Sequence, residues 1–198
     1  MYHQVRMNFS KVVALDCEMI GYGRRTLLAH VCIVDADGAI LYNELVRPTP
    51  GTDFAAINYR TRYSGITEAT LRTATKGFMR VQADVRHLLE GKVVVGHALE
   101  NDFKALGLRA SDYTVRDTAH TPIFMKLAGE CLVPNSLKNL AAELLGKTIQ
   151  AEVHDPAEDA RTAMELVRKY AAYLTVPASR VITDLRAAAT TGGTRRRH

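Results

Sequence analysis

KVVALDC, residues 11–17, is a run of β-branched and apolar residues too short for a helix, and it reads as a buried strand. TLLAHVCIV, residues 26–34, reads as a second strand. Asp35-Ala36-Asp37-Gly38 is a turn signal, and AILYNELV resumes the pattern from Ala39 as a third strand. The three make an antiparallel meander, which Pro48, Pro50 and Gly51 end.

The remainder alternates strands with helices. Residues 67–74 suggest a short helix, and 78–89 place Phe78, Val81, Val85, Leu88 and Leu89 on one helical face. KVVVG (92–96) and YTVRD (113–117) read as a fourth and a fifth strand. Further helices are predicted over about 98–107, about 119–128 and 136–145, the last with Ser136 as N-cap and Gly146 as stop. A final long helix begins after Asp155 and runs to about Leu174. The expected class is α/β: a five-stranded mixed β-sheet with helices on both faces.

A length of 198 residues suits one domain with its own core, and 47% hydrophobic with 24% charged residues is ordinary for a globular protein. No apolar run approaches the ~20 residues that cross a bilayer, which excludes a spanning helix, and no apolar signal segment opens the chain. Cys17, Cys32 and Cys131 are odd in number and form no C-x-x-C pair. That pattern fits a reducing, intracellular compartment and argues against a thiolate metal site. The net charge is +5, but Arg195, Arg196 and Arg197 supply three of those charges, so the body is only mildly basic. The expected division is an N-terminal extension (1–10), one domain (11–176) and a basic, flexible tail (177–198).

Chemistry is concentrated in three places. Asp16 and Glu18, two apart on a strand, project from the same face, with Cys17 and Met19 opposite. Two carboxylates on an apolar strand suit a hard divalent cation, although the pair taken alone is more often a strand end whose acids simply face water. Asp102 follows VVVGH, at a corner where a buried strand turns into a helix, so it either faces a site at the strand's carboxyl end or complements the helix dipole. His97 at that corner reads as structural or as a substrate contact. His154 precedes a helix start with Asp155 as N-cap, Pro156 at the first position and Glu158 as capping-box partner. Asp159, about one turn on, borders the apolar stripe of that helix. His154 has the ordinary pKa, ~6.5, that suits proton abstraction near neutrality.

Taken in order, Asp16-x-Glu18, Asp102 and His154-x-x-x-x-Asp159 resemble the three motifs of the DEDDh (DnaQ-like) 3′-to-5′ exonucleases of the ribonuclease H-like fold. ALDCEM, YRTRYSGIT (Tyr59–Thr67), VVGHALENDFKAL, VRDT and SLKNLAAELLG are similar to the eukaryotic RNA exonuclease branch, which includes interferon-stimulated and ribosomal-RNA-processing members. The similarity spans about residues 11–174. It implies that Asp16, Glu18, Asp102 and Asp159 hold two divalent cations, Mg²⁺ or Mn²⁺, and that His154 deprotonates the attacking water. It implies a partner too, single-stranded nucleic acid with RNA preferred, and a nuclear or nucleolar location, with the cytoplasm as the other possibility. Met19 would then lie beside the 3′-terminal sugar, where the 2′-OH is sensed. Arg60 and Arg62 are candidates for phosphate contact or for surface ion pairs. Tyr59 and Tyr63 are further candidates for the terminal nucleoside, and the sequence does not choose between them. The implied activity is a metal-dependent exoribonuclease releasing nucleoside 5′-monophosphates. The alternatives are a single-strand DNA exonuclease and a catalytically silent nucleic-acid-binding or ribosome-assembly module.

Overall fold

The computed structural model describes residues 7–192. Strands β1 (Val12–Tyr22), β2 (Arg25–Asp35) and β3 (Ile40–Arg47) form the expected antiparallel meander. The turn between β2 and β3 is held by the Asp35 carboxylate, which accepts the backbone N–H groups of Asp37 and Ala39, each at 2.9 Å. Two dipeptide strands follow, β4 (Ile57–Asn58) and β5 (Lys76–Gly77), then β6 (Val93–Gly96) and β7 (Thr114–Asp117). The sheet order is β5-β3-β2-β1-β6-β7, with β4 paired to the far end of β1. β6 lies parallel to β1, and β7 parallel to β6. The five long strands are those expected. The dipeptide strands bring the sheet to seven and are too short to carry an alternating pattern.

The helices are α1 (Thr61–Ser64), α2 (Glu68–Arg72), α3 (Phe78–Leu89), α4 (Glu100–Ala105), α5 (Leu137–Leu140), α6 (Pro156–Lys169) and α7 (Ala178–Gly192). α5 runs on as a π-helical turn over Ala141–Leu145, closed by Gly146 at φ 67°.

The sheet is covered on both faces. On one, Val13, Leu15, Cys17, Val31 and Ile33 pack with Val81, Val85 and Leu89 of α3 and with Phe103 and Leu106 at α4. On the other, Val12, Ala14, Cys32, Val34 and Val95 meet Ala157, Ala160, Ala163, Met164 and Val167 of α6. Three alanines on that helix face leave little between its backbone and the sheet, so α6 lies close against β1. The even-numbered face of β1 therefore continues upward from α6 to Asp16 and Glu18.

Two expectations need correction. The helix predicted over about 119–128 is a 3-10 turn, Pro122–Phe124, followed by a hairpin of β8 (Lys126–Ala128) and β9 (Cys131–Val133). Pro122 disfavours helical backbone in the residue before it, and Gly129 turns the hairpin at φ 60°. The stretch from Pro177, expected as a flexible tail, is helical over Ala178–Gly192 and packs on the Pro122–Phe124 turn and β9. Arg186 approaches Glu130 of the hairpin turn at 3.8 Å. The run Arg195–Arg197 and residues 1–6 lie outside the described residues. No described helix is long and apolar enough to cross a membrane.

Candidate active site

β1 carries Asp16 and Glu18 at the point where its pairing changes. Glu18 opposes His30 and Met19 opposes Leu28, which leaves Ala29 as the extra residue of a bulge on β2. Glu18 is buried on the α6 face, and Met19 packs with the opposite core, as alternation requires.

Asp102 arrives from that opposite face. Gly96 ends β6 so close to its neighbours that a Cβ there would lie 2.5 Å from Leu99 Cδ2 and 2.7 Å from the Leu15 carbonyl. Ala98 then takes a left-handed φ of 58°. The Asp117 carboxylate, at the end of β7, stabilises this corner. It accepts the backbone N–H groups of Ala98 at 2.8 Å and of Leu99 and Ala119 at 2.9 Å. The turn into α4 then carries Asp102 back to β1, where its side chain is buried.

His97 is fixed by the same corner. Thr118 Oγ1 donates to the Gly96 carbonyl at 2.9 Å, so the 2.9 Å contact with His97 Nδ1 is one in which the imidazole donates. That leaves His97 Nε2 unprotonated in the neutral ring. Burial lowers the His97 pKa, with the nearby Asp117 charge opposing the shift.

His154 and Asp159 come from the start of α6. Asp155 caps the helix, accepting Ala157 N–H at 2.9 Å, with Pro156 in the first turn as expected. Glu158 departs from its expected capping-box role and accepts the backbone N–H of Gln150 at 2.9 Å. Gln150, at φ 53°, donates its side-chain amide to Asp159 Oδ2 at 2.8 Å. The loop before α6 is thus tied to α6 twice by one residue. His154 N–H donates to the Tyr63 carbonyl at 2.7 Å, which anchors the imidazole-bearing residue to α1.

Asp16, Glu18, Asp102, His154 and Asp159 all line one cavity of about 370 Å³, together with Met19, Arg60, Tyr63 and His97. Arg62 is exposed and is not among the lining residues. Tyr59 turns away and donates its hydroxyl to the Phe54 carbonyl at 3.0 Å. His154 also borders a second cavity of about 540 Å³, lined by His30, Asn43 and several threonines.

Burial raises the proton affinity of all four carboxylates, and at Asp16 and Glu18 the neighbouring acids raise it further. Burial pushes Glu18 up to about 8, aided by the charges of Asp159 and Asp102. Burial takes Asp102 to about 7, and Asp159 to about 6 against the opposing Gln150 hydrogen bond. Asp16 is raised well above the carboxylate range by burial and then by Asp102, Asp159 and Glu18. The His154 pKa is lowered, first by burial and then by Lys138, with Glu158 opposing.

The donor set fits a hard cation. Glu18, His154 and Asp159 each offer a ligand atom, all within 4.8 Å of one another. Asp159 Oδ1 is buried with no hydrogen-bond partner, the one such side-chain atom among the described residues. A positive ion would satisfy that oxygen and relieve the repulsion.

Sequence reasoning missed Asp117 and Gln150. VRDT placed an acid at a strand end, which was a usable signal, whereas nothing local marks Gln150.

A mixed sheet of this order, with acids converging from β1, α4 and α6, defines the ribonuclease H-like nucleases as a class. The chain belongs to the exonuclease family, whose family model matches residues 13–167. It is 45% identical over 165 residues to the human apoptosis-enhancing nuclease, covering 80% of this chain and 49% of that protein. It is 40% identical to RNA exonuclease 4 of Gibberella zeae, covering 83% of this chain and 50% of that protein. The chain thus spans about half the length of these curated relatives. Among solved structures, it is similar to the Neurospora crassa Pan2 catalytic unit (TM-score 0.72, 27% identity, 89% of this chain, 30% of that chain). It is also similar to the Saccharomyces cerevisiae Pan2 pseudoubiquitin hydrolase–RNA exonuclease module in complex with AAUUAA RNA (TM-score 0.71, 27% identity, 95% of this chain, 33% of that chain).

Proposed function

We propose that this chain is a 3′-to-5′ exoribonuclease that hydrolyses single-stranded RNA to nucleoside 5′-monophosphates with two divalent cations, Mg²⁺ or Mn²⁺. The observation that carries the reading is the single cavity in which four carboxylates from three elements meet the His154 imidazole. The RNA named with the Pan2 module and the names of the curated relatives support RNA as the substrate.

Asp16, Glu18, Asp102 and Asp159 would hold the cations. When bound, such ions polarise the phosphate and stabilise charge on the entering and leaving oxygens. The chain's own residues do the rest. His154, neutral near pH 7 because its pKa is lowered, accepts a proton from water through a ring nitrogen. The water oxygen bonds to phosphorus, the P–O3′ bond of the penultimate nucleotide breaks, and the O3′ leaves to take a proton from solvent. Its backbone bond to the Tyr63 carbonyl keeps His154 at the cavity edge during this transfer. Gln150 holds Asp159 Oδ2, which lies 3.6 Å from His154 Nδ1, and so fixes the carboxylate beside the imidazole. Arg60 at the rim suits the phosphate 5′ to the scissile one, and Met19 suits the terminal sugar.

The test is purified protein with Mg²⁺ or Mn²⁺ on matched RNA and DNA oligomers, labelled at the 3′ or 5′ end, at one salt concentration. Release of labelled mononucleotide from 3′-labelled RNA, with a descending ladder from 5′-labelled RNA, is expected. Cleavage of DNA in preference to RNA would replace the substrate assignment, and no cleavage with either metal would leave a binding module.

A further inference from the structure

Seven large apolar side chains are exposed among the described residues, and only Tyr63 of these lines the cavity that holds the four carboxylates and His154. The residue is 63% exposed. Its hydroxyl has no hydrogen-bond partner among the described residues, whereas Tyr42 and Tyr59 donate theirs to Asp84 and the Phe54 carbonyl. An aromatic ring kept in water beside a nucleolytic site, with no internal partner, lacks a structural reason to be there.

The backbone that carries the ring is held in place. Tyr63 lies in the single turn of α1, which Gly65 closes at φ 66°. Ser64 Oγ donates to the Tyr59 carbonyl at 2.8 Å and accepts Ile66 N–H at 3.1 Å. The Tyr63 carbonyl holds His154 N–H. The Tyr63 backbone, from which the ring projects, therefore keeps a fixed relation to the backbone of the residue that would take the proton from water.

We propose that Tyr63 is a stacking platform for a base of the 3′-terminal dinucleotide, so that an unpaired, splayed base is selected whatever its identity. The proposal rests on the exoribonuclease reading and adds the group that recognises single strands. Every base offers a π-face, so such a contact is tolerant of sequence. A base within a duplex already has its stacking and pairing partners and gains less from the ring.

The test compares wild type, Tyr63→Leu and Tyr63→Phe on three RNA oligomers: intact, abasic at the 3′-terminal nucleotide, and abasic at the penultimate one. On intact RNA, Tyr63→Leu is expected to lower kcat/KM by about 5- to 100-fold, the range that base–aromatic stacking supplies. Tyr63→Phe, which keeps the ring, recovers most of that loss. The difference between wild type and Tyr63→Leu shrinks below about 2-fold on one of the two abasic oligomers, the non-additivity expected when ring and base are in contact and the base is already gone. An unchanged kcat/KM for Tyr63→Leu on intact RNA overturns the proposal. So does an equal loss on all three oligomers, which would mark a structural role. Wild-type protein inert on every oligomer removes the exoribonuclease reading itself and the stacking role with it.

Discussion

The carboxylate cluster should cost the cation-free protein stability, and Glu18→Gln should return it. Glu18 moves from an ordinary 4.5 to about 8 on folding. A raised carboxyl pKa means the folded state holds the proton more tightly than the unfolded chain. The fold is therefore fully stable with respect to this group below 4.5 and loses stability as the pH climbs toward and through 8. With those two values the cost is about 1 kcal/mol at pH 5 and about 4 kcal/mol at pH 8. Gln keeps the shape and cannot ionise. In EDTA, Glu18→Gln should raise the Tm at pH 8 by about 10 °C and at pH 5 by only a few degrees, as expected for a chain of this size. Added Mn²⁺ should stabilise the wild type strongly at pH 8 and the variant much less, because one ligand is gone. Scanning calorimetry at the two pH values, with and without the metal, reads all four quantities. A Glu18→Gln protein no more stable than wild type at pH 8 would mean that the cluster is not under electrostatic stress, and the case for a cation site would lose its energetic basis.

Asp16→Ala and Asp159→Ala are expected to abolish nucleotide release while circular dichroism stays native; His154→Ala should slow release by about 10²- to 10⁴-fold yet keep cation uptake in calorimetric titration. With saturating cation, the rate should rise with pH through a midpoint below the usual 6.5 of histidine and level off above about pH 7, because His154 is held toward its neutral form; a rate constant from pH 5 to 8 would remove His154 as the base. Gln150→Leu deletes the 2.8 Å hydrogen bond to Asp159 and should weaken cation binding about 10- to 100-fold, the usual effect of losing an outer partner; equal affinity would show that Asp159 needs no such support. Gly96→Ala puts a methyl group 2.7 Å from the Leu15 carbonyl and should destabilise the fold by about 1–3 kcal/mol in urea unfolding.

What could be read from the sequence is what local periodicity encodes. Lys11–Val46 yields the meander because its apolar runs are short, β-branched and punctuated by Asp35–Gly38. Phe78–Leu89 and the stripe after Pro156 repeat at helical spacing, and both helices form. LAGECLV, by contrast, is too short to separate a hairpin from a helix by period, so β8 was hidden within the end of the helix expected over 119–128 and β9 just beyond it. At the site, the four acids and His154 could be named in advance because each sits in a short local motif: two acids two apart on a strand, an acid after a strand-to-helix corner, and a histidine and an acid at a helix start. Their supports could not. Asp117 acts on Ala98 and Leu99 across the β6–β7 corner, and Gln150 acts on Asp159 across a loop. Such bonds depend on where the chain returns, not on what stands next in it. Nor does anything local announce a left-handed Ala98; the Asp117 carboxylate makes that backbone tolerable.

The fold explains why the site needs three elements rather than one. A strand aligns two carboxylates on one face and no more before it leaves the cavity, and β1 does so with Asp16 and Glu18. A third and a fourth must be delivered by helices from either side of the sheet. α6 can approach because Ala157, Ala160 and Ala163 line its inner face, which lowers Asp159 to the level of β1. α4 can approach because Gly96 has no side chain and Asp117 holds the next turn open. Both devices bring negative charge where the metal-free protein gains least from it. Asp159 is left with an unsatisfied buried oxygen, and Glu18 and Asp102 hold their protons up to about 8 and about 7. The stability forgone in this way reappears as affinity for whatever positive charge enters. A larger residue at position 157 or 160 would raise α6 off the sheet and separate the carboxylates. It should therefore weaken cation binding and, unlike an ordinary core substitution, make the metal-free stability less dependent on pH between 5 and 8.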